Sequence, residues 1–137
     1  MLIVALVSAV VLLVWMGFFL AGSLPLLILK HDTPVDSGFI RGLFNVYYVA
    51  IMAVGAVGAL SSALAGRATI ALALGGVAAI GFAGRRWFIA RMDVVRSTMT
   101  ADDTSAIRQF RRLHVAGMLV NFLLLAAFCV GMTRVSL

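Results

Sequence analysis

The chain has 137 residues, of which 64% are hydrophobic and only 12% are charged, and its mean hydropathy is +1.14. A water-soluble domain rarely exceeds about half apolar residues, and a short chain has little interior in which to bury the excess. The composition therefore indicates a membrane protein. The net charge of +6 bears on orientation, since nucleic-acid binding would need a basic groove on a soluble scaffold, and no nucleic-acid partner is expected.

Four stretches are apolar enough to cross a bilayer, which takes about 20 helical residues. The sequence predicts an all-α polytopic membrane protein with one four-helix transmembrane domain, an antiparallel bundle over residues 1–137. The spans are predicted at about 2–29, 43–65, 68–90 and 113–132. The first is interpreted as a retained helix, because it lacks the basic start and short apolar run of a signal peptide. Pro25 is expected to kink or loosen its last turn.

The connections between the spans differ in character. Residues 30–42 are polar and contain a proline and a glycine, which predicts a loop. Gly66 and Arg67 predict a tight turn, so that the second and third helices form an antiparallel hairpin. Residues 91–112 are the largest soluble element, and Asp103 or Thr104 is expected to cap a helix that continues into the fourth span.

Basic residues are distributed unevenly between the two sides of the predicted bundle. Nine lie in or beside segments 30–42 and 91–112, and two, Arg67 and Arg134, lie on the opposite side. Lysine and arginine accumulate on the cytoplasmic side of membrane proteins. The sequence therefore predicts that both segments are cytoplasmic loops, that both termini lie outside the cytoplasm, and that the protein is a multi-pass protein of the inner (plasma) membrane.

Small residues recur at four-residue intervals in the two middle spans. They are Gly55, Ala59 and Ala63 in the second span and Ala71, Gly75, Ala79 and Ala83 in the third. Such stripes let helix backbones approach closely in a membrane. They fit tight packing of the hairpin, and they also fit a contact with a second copy or with a larger membrane complex.

Counting 100° per residue places a set of less lipid-like side chains on one face of the fourth helix. The set comprises Arg111, His114, Met118, Asn121, Cys129 and Met132, with Leu125 filling the gap. An amide in hydrocarbon is unfavourable and seeks a partner. This face is therefore expected to point into the bundle.

Three interpretations of this face stay open. In the first, Asn121 hydrogen-bonds a neighbouring helix and His114 bonds a loop carbonyl, as polar groups commonly do between membrane helices. In the second, His31 and His114 meet at the cytoplasmic edge and bind a haem or a metal ion.

The third interpretation is a soft-metal site for an ion such as Cu(I). Its ligands would be Met118, Cys129 and Met132, with Met16 and Met52 as helpers. Methionine also fills irregular gaps in apolar cores, so the same residues fit simple packing.

Other motifs favour a role that is not enzymatic. The stretch RRWFIAR sets Arg85, Arg86, Trp87 and Arg91 at the interface, which is typical of a membrane-surface anchor. All five acidic residues lie outside the apolar spans, which disfavours an ion-coupled transporter. Neither a Gly-rich phosphate loop nor a nucleophile elbow is present in the sequence.

Two motifs resemble those of a known family. GFIRGLFNVYY at 38–48 and FRRLHVAGMLVNFLLL at 110–125 resemble the DUF4149 or TMEM205-like family of small four-helix membrane proteins. The matching positions are Gly38, Phe44, Tyr47, Phe110, His114 and Asn121. The family is largely uncharacterised, and its animal members are linked to platinum-drug resistance, so the resemblance implies a fold more than an activity.

A second family is also similar. The DUF1772 anthrone-oxygenase-like proteins are small, have four helices and carry an arginine–histidine signature in their last helices. Membership there would imply a cofactor-less or haem-assisted oxygenase.

Taken together, the residues favour a binding or accessory role. Arg111, His114 and Asn121 are expected to meet region 32–48 at the cytoplasmic edge, where they would support a partner complex or hold a small lipophilic ligand. The rivals are a haem- or metal-binding redox protein that uses His31 and His114, and a soft-metal or cation transporter that uses the methionine and cysteine side chains.

Overall fold

The structure is a computed structural model that describes residues 1–28, 33–100 and 102–134. Every element in these ranges is helical. The elements are α1 (Leu2–Ile28), α2 (Pro34–Leu64), α3 (Ala68–Gly84), a π-helical turn (Arg85–Ile89), α4 (Ala90–Thr98) and α5 (Thr104–Thr133). α3, the π turn and α4 follow one another without a break and form a rod from Ala68 to Thr98.

Four helices in the described part of the chain are long and apolar enough to cross a membrane: α1, α2, the rod and α5. Their outer faces carry large apolar side chains, such as Ile3 at 76% exposure and Leu72 at 78%. Apolar patches of this extent are unfavourable in water and natural in lipid. Four such helices among the described residues thus indicate a multi-pass membrane protein.

α2 begins earlier than the sequence predicted. Residues 34–42, expected to be part of a loop, form the first turns of this helix. Thr33 is extended and its side chain accepts a hydrogen bond from the Asp36 N–H at 3.2 Å, while Pro34 occupies the first turn. A threonine cap followed by proline is a helix-start signal, and it outweighs the polar composition that suggested a loop.

The segment 91–112 is also more helical than expected. The rod extends past position 90 to Thr98, and α5 begins at Thr104. Asp103 caps α5, as predicted, because its carboxylate accepts hydrogen bonds from the N–H groups of Ser105 at 3.1 Å and Ala106 at 3.0 Å. α5 continues from this cap into the fourth apolar span, as the sequence indicated.

The predicted hairpin of the second and third spans is present. Gly66 has φ of +72°, a left-handed conformation that glycine adopts without strain, and it turns the chain between α2 and α3. In the contacting pairs, the residue number in α2 falls as the residue number in α3 rises, which shows that the two helices are antiparallel. The pairs are Gly55 with Ala78, Ile51 with Gly81, and Tyr48 with Gly84.

The small-residue stripes only partly make this contact. Gly55 and Ala59 lie in it, whereas Ala63, Ala79 and Ala83 are exposed. A four-residue step turns about 40° beyond one full helical turn. A stripe at this spacing therefore leaves the interface after two or three steps, and Leu74, Val77 and Gly81 form the buried face of α3 instead.

The rod changes its main neighbour along its length. α3 packs extensively on α2, whereas α4, beyond the π turn, packs mainly on α5 and also touches α2. α1 packs against α2 and α5 and stays helical through Pro25 to Ile28. α3 and α5 touch little, so the two helices are separated near the Gly66–Arg67 turn.

Two ends of the molecule can therefore be distinguished. The arginine end holds the start of α2, all of α4 and the start of α5, with Arg41, Arg85 and Arg96 among its basic residues. The turn end holds the Gly66–Arg67 turn and the C-terminus of α5.

Candidate functional site

A hydrogen-bonded junction joins three helices. Tyr47 of α2 donates its hydroxyl hydrogen to Oδ1 of Asn121 on α5, and Asn121 Nδ2 donates to the backbone carbonyl of Met16 on α1 at 3.3 Å. Tyr47 and Asn121 are both 2% exposed. Because the amide of Asn121 uses its acceptor on one helix and its donor on another, it fixes α1, α2 and α5 relative to each other.

Aromatic rings surround this junction toward the arginine end. Phe44 is fully buried, and Phe19 packs edge-on against it with the ring centroids 4.9 Å apart. Phe19 also stacks on Tyr47 at 4.1 Å. Gly117 lets α5 approach, since a Cβ there would overlap the Phe44 ring. The aromatic packing thus sets the distance between α2 and α5.

His114 lies beside this aromatic group and is 2% exposed. Its ring packs edge-on against Phe44, with centroids 5.5 Å apart and planes at 81°. Its Nε2 atom has no hydrogen-bond partner among the described residues. A buried polar atom left unpaired costs about 1–3 kcal/mol. The folded chain therefore holds an imidazole nitrogen ready for a partner that the surrounding helices do not supply.

His114 borders a small cavity where α1, α2 and α5 meet at the arginine end. The cavity has a volume of about 10 Å³, close to the room that one water molecule needs. Ser37 and Arg111 are its other polar neighbours. The lining residues are Leu26, Leu27, Ser37, Ile40, Met99, Ile107, Phe110, Arg111 and His114.

The structure brings most of the predicted cluster together. Phe110, Arg111 and His114 line one cavity. Phe44 packs on His114 and also on Phe19, which stacks on Tyr47 of the hydrogen-bonded junction. Their role in ligand binding stays a prediction. The hydrogen bond between Asn121 and its neighbouring helices is the interhelical contact that the first interpretation expected.

The structure describes only one of the two histidines of the predicted haem or metal site. His31 lies outside the described residues, so its position relative to His114 is not part of the structure. A cavity of about 10 Å³ has no room for a porphyrin beside His114. Groups of three or more histidine, cysteine or acidic side chains that could hold a metal ion do not occur within residues 1–28, 33–100 and 102–134.

The predicted soft-metal ligands do not share one buried face. Met118 is buried beside the junction, whereas Cys129 is exposed and Met132 lies half-buried in a separate groove between α3 and α5. Counted from His114 at 100° per residue, Phe128 lies at about −40°, close to Asn121, whereas Cys129 lies at about 60°, at the edge of the face. Phe128 therefore continues the buried face of α5, and Cys129 does not.

The predicted membrane-surface anchor lies on the π turn and its flanks. The Arg91 guanidinium lies 4.4 Å from the Trp87 ring centroid, a cation–π contact, and both side chains are exposed. Arg85 donates to the Asn45 side-chain carbonyl at 3.0 Å, and Arg86 is exposed. This surface is basic and aromatic, as an interfacial anchor requires.

An ion pair closes the arginine end between α2 and α4. Arg41 donates through Nε and Nη2 to the two carboxylate oxygens of Asp93, each at 2.8 Å. Arg96 lies close by and donates to Ser37 at 3.2 Å. The side chains of Arg41 and Asp93 are 31% and 45% exposed, so the pair orients α4 more than it stabilises the fold.

Sequence reasoning missed several residues of this site. Tyr48 and Phe88 stack on each other, and Phe19 and Met16 supply the α1 side of the junction. The three-to-four-residue spacing of Leu12, Met16, Phe19 and Ser23 marks the buried face of α1. That signal is weak in a helix that is apolar on every side.

No family model, curated protein or solved structure matches this chain. The resemblance to the TMEM205-like family therefore stays a prediction that rests on the motifs at 38–48 and 110–125.

Proposed function

We propose that this chain is a membrane-embedded binding protein and that its ligand site is the cavity beside His114. The single observation that carries the proposal is the His114 Nε2 atom, which is buried, lacks a hydrogen-bond partner among the described residues and borders this cavity. Buried polar atoms in native proteins are almost always paired, by protein or by a bound molecule.

The chemistry of the cavity suggests what would bind. An imidazole nitrogen can donate to or accept from one oxygen-sized group, such as a hydroxyl or a carbonyl oxygen. Leu26, Leu27 and Ile40 offer apolar walls beside it. The proposed ligand is a small lipophilic molecule of which only the single polar oxygen enters the cavity, since the cavity of about 10 Å³ has room for one such atom. Its apolar part would lie outside the cavity, against the half-buried side chains of Leu26 and Leu27.

The cell context is proposed along with this role. Nine of the eleven basic residues lie in or beside segments 30–42 and 91–112, which supports an antiparallel four-helix bundle in the inner membrane with both termini outside the cytoplasm. The His114 cavity would then face the cytoplasmic leaflet. A distant membership in the TMEM205-like family fits this arrangement and is proposed with it.

Native mass spectrometry of protein released from lipid nanodiscs tests the binding role. We expect the wild-type chain to carry an additional small lipophile, and the variant His114→Phe to lose it, because phenylalanine keeps the ring and removes the polar nitrogen. Cys129→Ser is the control, since Cys129 is exposed and remote from the cavity.

Two results would overturn the proposal. One is a wild-type chain that carries no additional lipophile. The other is a lipophile that His114→Phe retains in full. In either case the unpaired nitrogen would be a feature of packing, and the search for function would move to partner subunits.

A further inference from the structure

α3 and α5 diverge toward the turn end and leave a groove of about 310 Å³ between them. The buried side chains of Leu74, Val77 and Phe128 form its floor. Small residues on both walls, Gly76 on α3 and Ala127 on α5 among them, keep the groove open. The groove faces the side where a membrane would lie, so hydrocarbon and not water is its natural content.

The mouth of the groove at the turn end carries two positive charges. Arg67 precedes α3 directly and lies two residues from Thr69, which lines the groove; Arg134 follows α5 and lies two residues from Met132, which also lines it. Both arginines are exposed. The acidic side chains of the described residues lie at the arginine end, so the basic side chains at the turn end have no acidic side chain of the described set near them.

We infer that this groove binds one acyl chain of an anionic phospholipid, whose phosphate is held by Arg67 and Arg134. Guanidinium groups pair with phosphate oxygens through two parallel hydrogen bonds. A groove with hydrocarbon walls and a cationic rim at the membrane surface matches a molecule that has a hydrocarbon tail and an anionic head.

A packed helix fits this groove less well than a lipid chain. A membrane-spanning helix about 10 Å wide and about 30 Å long encloses on the order of 2,000 Å³, several times the volume of the groove. Its floor also lies below the level of the neighbouring exposed side chains, such as Leu72 and Ile80. A thin, flexible acyl chain can reach that floor without displacing them.

The test compares lipid retention by native mass spectrometry after release from nanodiscs of equal parts phosphatidylglycerol and phosphatidylcholine. The wild-type chain is expected to retain phosphatidylglycerol in preference. The variant Arg67→Gln/Arg134→Gln is expected to lose that preference by about fivefold for each arginine removed. The matched control, Arg108→Gln/Arg112→Gln, removes the same charge from exposed positions at the arginine end, outside the membrane-surface anchor, and should keep the preference.

A second variant tests the acyl-chain part of the site. Gly76 lines the groove, and nothing lies within 4 Å of the point where a Cβ would stand, so a leucine side chain can begin there and is expected to occupy part of the groove. The variant Gly76→Leu is expected to reduce retention of both lipids. His114→Phe should leave lipid retention unchanged, which separates this site from the proposed His114 ligand.

Three outcomes would each overturn the inference. They are an arginine variant that behaves like its control, a wild-type chain that retains phosphatidylcholine as well as phosphatidylglycerol, and a Gly76→Leu variant that retains lipid in full. The first two outcomes would show that the arginines do not bind the lipid phosphate, and the third would show that the groove does not bind the acyl chain.

Discussion

The arginine end and the turn end hold their helices together by different means. At the arginine end, side chains make the contact: a tyrosine–asparagine hydrogen bond, a group of aromatic rings and an ion pair fix α1, α2, α4 and α5. At the turn end, α3 is held mainly by the close approach of its backbone to α2, while α5 stands apart. Side-chain contacts between four helices close the arginine end. At the turn end, α3 contacts only α2 closely, so a groove remains between α3 and α5.

The largest expected effect breaks the glycine contact. A Cβ at Gly58 would lie 2.8 Å from the Ser8 Cβ and 2.9 Å from Leu74 Cδ1. Gly58→Val should therefore push α1 and α3 away from α2 and lower the free energy of unfolding by about 1–3 kcal/mol. Thermal unfolding in detergent micelles, followed by far-ultraviolet circular dichroism, measures the change.

Gly17→Val is the matched control, because nothing lies within 4 Å of a Cβ at Gly17. It makes the same chemical change in a helix and should have a much smaller effect. If the two variants unfold alike, the change reflects helix propensity, and the close contact of Ser8 and Leu74 with Gly58 does not hold α1 and α3 against α2.

The second effect concerns the junction at the arginine end. Tyr47→Phe removes the hydroxyl donor and Asn121→Leu removes its acceptor, so each variant alone breaks the same hydrogen bond. Hydrogen bonds between membrane helices contribute about 0.6 kcal/mol on average and at most about 1.7 kcal/mol. We expect a coupling free energy within this range from a double-mutant cycle of unfolding in bicelles.

The cycle has a built-in comparison. Asn121→Leu also removes the hydrogen bond to the Met16 carbonyl, so it should be more destabilising than Tyr47→Phe. A coupling energy of zero would show that the two side chains act independently and that the aromatic rings alone close this end.

The smallest expected effect is a pH dependence at the start of α5. Hydrogen bonds from the Ala106 N–H and from Ser105 hold the pKa of the Asp103 carboxyl below its ordinary value. A carboxyl whose pKa is lowered by folding stabilises the folded chain above the unfolded pKa of about 3.9, and this contribution is lost as the pH falls through the lowered value. Protection of the Ser105 and Ala106 amides against hydrogen exchange should fall accordingly.

Asp103→Asn is the control for this titration. Asparagine caps helices about as well as aspartate but does not ionise, so its amide protection should change less with pH in the acidic range. An equal pH dependence in both chains would assign the effect to another group.

Much of the arginine end could be predicted from the sequence because polar residues are rare in its helices and therefore informative. His114 and Asn121 stand out in an apolar span, and helical periodicity places them on the buried face where the structure has them. The cap at Asp103 and the turn at Gly66 follow from local chemistry that needs no neighbour. These features depend on short stretches of chain, which the sequence displays directly.

The residues that were placed least well lie at the edge of a buried face. Cys129 lies at about 60° from His114 by helical projection, and the stripe of Ala79 turns about 40° away from α2 at each step, so both residues are exposed. The groove between α3 and α5 has no signal in the sequence of either helix, since its lining residues are ordinary membrane residues. Sequence periodicity predicts which face of a helix is buried, whereas the distance between neighbouring helices depends on how all the helices pack together.

The π turn at Arg85–Ile89 gives the rod a phase shift. A π turn accommodates about one residue more than an α-helical turn, and one residue corresponds to about 100° of rotation around the helix axis. Buried positions continue at α-helical spacing from Leu74 through Phe88 to Met92, yet the face they define turns from α2 toward α5 on the way. One continuous helix can thus pack against α2 along its first part and against α5 along its second.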